Sequence, residues 1–89
     1  MERIGDSLKR LVGNNIKRLR IEAGYRQGQF AQMLGITSTT LSKIENGETD
    51  IKLRIVSKAS VILGKPIQDF IFAEKTLVLS KEKLKTLIV

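Results

Sequence analysis

Hydroxyl groups crowd one point of this chain. Thr37-Ser38-Thr39-Thr40 stand in a row, with Ser42 and Lys43 just beyond them. Their chemistry is hydrogen bonding: each hydroxyl donates one bond and accepts others, and the lysine adds a compact positive charge with donors only. Leu41 and Ile44 are interleaved with them at helical spacing, and Gly47 follows. A linker would not resume an apolar rhythm at once, and a core segment would carry bulk in place of hydroxyls. The tools for making and breaking covalent bonds are missing. The chain has no cysteine and no histidine, which removes disulfides, thiolate nucleophiles, imidazole bases and every nitrogen- or sulfur-ligated metal site. Its nine carboxylates are scattered, and Glu45 and Glu48 have no further acid clustered beside them. The sequence therefore predicts no enzyme, no metal and no cofactor.

At 89 residues the chain has room for one core and little more. Sixteen basic residues against nine acidic ones give a net charge of +7 and a pI near 10.1. A body this small with that charge attracts polyanions, and nucleic acid is the expected partner. Apolar runs stop far short of the roughly 20 residues of a membrane span. The opening Met1-Glu2-Arg3-Ile4-Gly5-Asp6 carries acids and lacks the apolar centre of a secretory leader, so a cytoplasmic protein away from membranes is expected.

The elements that position the hydroxyls follow from the period of the apolar residues. Leu8, Leu11, Val12, Ile16, Leu19 and Ala23 predict a first helix, capped by Asp6 or Ser7 and closed at Gly24. A shorter helix is expected from Arg26 or Gln27 to Leu34, with Phe30, Ala31 and Leu34 inward and Gly35 as its stop. After a Gly35-Ile36 turn, Thr37 caps a third helix that turns Leu41 and Ile44 inward and ends at Gly47. Ser38, Thr39, Ser42 and Lys43 are left facing out. Small polar side chains let a helix backbone come close to another surface, which suits entry into a DNA major groove. A fourth helix is expected to bury Leu53, Val56, Ala59, Ser60 and Leu63, and a fifth, opened by Pro66, to close the core with Ile67, Phe70 and Ile71. Five short helices joined by tight turns make an all-α bundle.

Residues 74–89 read differently. Thr76-Leu77-Val78-Leu79 is β-prone, and Ser80-Lys81-Glu82-Lys83 reads as the start of a short helix carrying Leu84, Leu87 and Ile88. The chain divides into a domain over residues 1–73 and an extension over 74–89. Leu77, Leu79, Leu84, Leu87 and Ile88 are its expected dimerisation residues, because a bare strand edge and an apolar helix face commonly pair with a second copy; the alternative is that the segment folds back on its own chain.

Between about Val12 and Ile71 the chain resembles the Cro/C1-type (XRE family) helix-turn-helix regulators. The residues carrying the resemblance are Gly13, Ile16, Leu19 and Arg20, then Gln27, Phe30 and Ala31, then Gly35-Ile36-Thr37, Leu41-Ser42, Ile44-Glu45 and Gly47. What the resemblance implies is a five-helix, lambda-repressor-like DNA-binding bundle whose third helix lies in the major groove of double-stranded DNA. Ser38, Thr39, Thr40, Ser42 and Lys43 would then face base edges, Lys43 across guanine O6 and N7 and the threonine methyls against thymine. Gln27, Asn46 and Lys52 match the family's phosphate clamps, and Glu45 matches an acid that pairs structurally with the arginine at Arg20. Arg26 departs from the hydroxyl cap usual at the second helix and offers a phosphate contact in exchange. Two functions compatible with this are expected: a dimeric repressor or controller protein reading a pseudo-palindromic operator, or an antitoxin whose tail neutralises a protein partner.

Overall fold

A computed structural model describes residues 4–73, which form five helices. They are α1 (Ile4–Glu22), α2 (Gln27–Leu34), α3 (Ser38–Glu45), α4 (Leu53–Leu63) and α5 (Gln68–Ile71). The extension over 74–89, with its strand- and helix-prone stretches and Leu77, Leu79, Leu84, Leu87 and Ile88, lies outside the described residues.

The long α1 is the spine, because its apolar stripe of Val12, Ile16 and Leu19 is fully covered by the other helices. α3 and α5 pack against it, while α2 sits between α3 and α4. Phe30, Ala31 and Leu34 of α2, Leu41 and Ile44 of α3, Ile55, Val56 and Ala59 of α4, and Phe70 of α5 complete one core. Phe30 and Phe70 are entirely buried; removing an aromatic ring of that kind from water contributes about 1.5–3 kcal/mol. Tyr25 stacks on Phe30 with ring centroids 5.8 Å apart, which anchors the turn between α1 and α2.

Several expectations need correction. α1 is already helical at Ile4, so Asp6 lies in its first turn beside Lys9 (3.3 Å) and does not cap it. Ala23 has left the helix and is exposed, because the stripe ends at Leu19 where the chain turns toward Tyr25. Leu53 is 84% exposed and Ile55 takes its place in the core. The reason is phase: α4 begins at Leu53, and the pair Ile55/Val56 with Ala59 sets the inward direction, which rotates Leu53 to the outside. Ile67 and Ile71 are 46% and 40% exposed, since one turn of helix can direct only Phe70 into the core.

Candidate nucleic-acid interface

Three features hold α3 at a fixed height on the bundle. Thr37 is its N-cap: its Oγ1 accepts from the Thr40 N–H at 3.1 Å and donates to Thr40 Oγ1 at 2.9 Å. This satisfies one of the N–H groups that a helix start leaves unpaired. Gly13 faces the other end of α3, where a side-chain carbon on α1 would overlap the Ile44 carbonyl oxygen. The two backbones approach closely only because that carbon is missing.

The third feature is ionic. Glu45 is 2% exposed and its carboxylate accepts from Arg20 Nε at 2.7 Å, Arg20 Nη2 at 3.1 Å and Gln27 Nε2 at 3.0 Å. Arg20 Nη1 donates in addition to the Tyr25 carbonyl at 2.7 Å. A planar guanidinium matches a carboxylate with two parallel bonds, and here it joins the last residue of α3 to the spine while Gln27 ties in the first residue of α2. The turn between α2 and α3 is thereby bracketed. It is itself tight: Gly35 has φ +76°, the left-handed region that glycine enters without steric cost, and Ile36 N–H returns to the Ala31 carbonyl at 3.0 Å.

With Leu41, Ile44 and Glu45 buried, the other side of α3 faces solvent. Ser38, Thr39, Ser42 and Lys43 line one open concavity together with Gln27, Asn46 and Glu48. Thr40 is exposed, but its hydroxyl is engaged by the cap, so its methyl is what it offers outward. Arg26 and Lys52 are exposed residues standing immediately before α2 and α4, and neither caps its helix with its side chain. Gln27, Gly28 and Gln29 occupy the first turn of α2, where N–H groups have no partner within the helix and the dipole favours an anion. Because the Gln27 amide is committed to Glu45, it is the backbone of this turn that is open to a phosphate.

Some residues of this arrangement are not identified from the sequence. Glu48 brings a carboxylate into the concavity, its N–H bonded to the Lys43 carbonyl at 2.8 Å; its only signal is its position just past the glycine that ends α3. Lys58 Nζ lies 3.4 Å from the Leu34 carbonyl at the end of α2, and nothing in the local sequence foreshadows that. Asn15 is 5% exposed and donates from Nδ2 to the Phe70 and Phe72 carbonyls, both at 2.9 Å. A polar residue inside the α1 stripe was the available signal, since a buried amide must find partners. No cluster of carboxylates able to hold a metal forms among the described residues, and none of the described helices is long and apolar enough to cross a membrane.

Residues 16–70 match a family model described as helix-turn-helix, of the Cro/C1 (XRE) type. The chain belongs to that family. The matched residues include α2 and α3, and the concavity lies on the α3 side. Over 54 residues it is 37% identical to the SPbeta prophage-derived uncharacterized HTH-type transcriptional regulator YonR of Bacillus subtilis (strain 168), a stretch covering 61% of this chain and 50% of that protein. The chain spans about half the length of this curated relative. Its fold is similar to the crystal structure of the hypothetical transcription factor NHTF from Neisseria, with a TM-score of 0.74, 19% identity, and coverage of 88% of this chain and 90% of the other. At that identity the likeness concerns the fold alone.

Proposed function

We propose that this helix-turn-helix protein is a sequence-specific transcriptional regulator of the cytoplasm, a small repressor or controller protein that binds a pseudo-palindromic operator as a homodimer. The observation that carries the reading is the gathering of Ser38, Thr39, Ser42 and Lys43 on one open face of a helix whose opposite face is buried and ion-paired. α3 enters the major groove, and Lys43 bridges guanine O6 and N7, a contact that discriminates by about 1–3 kcal/mol when well formed. Ser38 and Ser42 donate to or accept from neighbouring base edges, while the methyls of Thr39 and Thr40 meet thymine. Arg26, the first turn of α2 at Gln27, Asn46 and Lys52 hold the flanking phosphates. Such contacts set register and supply most of the affinity without reading sequence. Two copies joined through residues 74–89 place their α3 helices about 34 Å apart, one turn of the duplex.

Selection of bound duplexes from a random pool by the purified protein tests this. The expected consensus has inverted half-sites with that spacing. In gel shifts the wild type separates the selected site from a scrambled one, and Lys43→Ala loses about 5- to 150-fold of that separation, the equivalent of the discrimination above. A wild type that binds both duplexes equally contradicts the proposal.

A further inference from the structure

Where the described chain ends, the bundle is not closed. A groove of about 340 Å³ runs between α1, α4 and α5, walled by Leu8, Val12, Leu53, Val56, Ile67 and Ile71. Leu8 is 50% exposed, Leu53 84%, Ile67 46% and Ile71 40%, so the groove presents apolar surface on every side. It lies apart from the α3 concavity and shares no residue with it. Contiguous apolar surface of this kind on a small domain marks a place that something covers.

Three observations select the occupant. Asn15 grips the Phe70 and Phe72 carbonyls with its one amide nitrogen, so the chain departs from a fixed point, and Ile71 between those two residues is part of the groove wall. Among the next residues Thr76-Leu77-Val78-Leu79 is β-prone, and an extended backbone would put Leu77 and Leu79 on the same side. From Ala73 to Leu77 an extended chain reaches up to about 13 Å, enough to lie along a groove that begins at Ile71 without any linker.

We propose that Leu77 and Leu79 fill this groove of their own chain, leaving Leu84, Leu87 and Ile88 further on to join two copies. Attachment at Ala73 holds the segment at millimolar effective concentration, which favours the same chain over a neighbour. The second half of the assignment rests on the dimer proposed above; the first half does not.

Methyl NOE spectroscopy on the full-length protein tests it. Cross-peaks from the Leu77 and Leu79 methyls to those of Leu8, Ile67 and Ile71 are expected in uniformly labelled protein. They are expected to vanish in an isotope-filtered experiment on mixed labelled and unlabelled chains, which sees only contacts between copies. No cross-peaks between these groups, or cross-peaks only in the filtered experiment, would overturn the assignment, the latter by making a second copy's tail the occupant. Sedimentation and gel shifts on the same sample read the dimer and DNA binding separately. Intact cross-peaks in a monomer that ignores DNA sequence would fell the proposed function and leave the groove assignment standing, and the reverse pattern would do the opposite.

Discussion

The inner and outer sides of α3 are decided by different forces. Leu41, Ile44 and Glu45 face inward and are buried, each with its neighbours specified: apolar contacts for the first two, and Arg20 with Gln27 for the third. Ser38, Thr39, Ser42 and Lys43 face outward and have no such constraint from the other described residues. Folding alone would accept many residues there, so under the proposed function their types answer to what the helix meets. Rigidity on one side and chemical choice on the other are what a reading helix requires, because a base contact is useful only if the backbone carrying it does not yield.

That contrast can be broken from the inside. Glu45→Ala leaves the Arg20 guanidinium buried without its carboxylate, and a loss of about 3–5 kcal/mol in urea unfolding is expected. Because the two groups share one network, Arg20→Met combined with Glu45→Leu is expected to cost less than the sum of the single changes. Gly13→Ala comes next. Its new methyl collides with the Ile44 carbonyl and forces α3 away from α1, at about 1–3 kcal/mol by thermal unfolding. DNA discrimination is expected to fall with it, since the outer residues move together with the backbone. Thr37→Ala removes the cap and is expected to cost about 1 kcal/mol, with chemical-shift changes concentrated at the Thr40 amide.

From the outside the same contrast predicts small stability effects and large binding effects. Lys43→Ala is expected to change unfolding free energy by less than about 0.5 kcal/mol while relaxing base choice. Glu48→Lys is the gentlest change and acts in the opposite direction: replacing the one acid among the described walls of the concavity with a cation should tighten binding to all duplexes alike. The log-log salt slope should then steepen by up to about 0.9, one additional phosphate.

The inner side was legible in the sequence because packing leaves a period. Phe30/Ala31/Leu34 and Leu41/Ile44 announced their helices and their inward direction, and the structure has them buried. Legibility failed where a helix is too short or too near its end for a period to register. Leu53 belongs to an apolar run that can be phased two ways, and only the burial of Ile55 beside Val56 chooses between them. Ile67 and Ile71 flank a single turn whose geometry admits one inward residue. Gly13 was readable as a family position, but the contact that explains it needs coordinates. Asn15 and Lys58 act on carbonyls 55 and 24 residues away in sequence, a distance at which residue spacing carries no information. The outer side gives no period at all. Its residues are marked only by type and by resemblance, and Glu48, of the wrong charge for a DNA surface, carries neither mark.

The most direct test of α3 as the reading helix is a titration of isotope-labelled protein with the duplex obtained by selection, following backbone amides by NMR. The amides of Ser38, Thr39, Ser42 and Lys43 are expected to shift most, with those of Gln27 to Gln29 and Asn46 beside them, and a scrambled duplex is expected to move the second group but not the first. If the α3 amides stay unmoved while other parts of the bundle respond, this helix is not the reader.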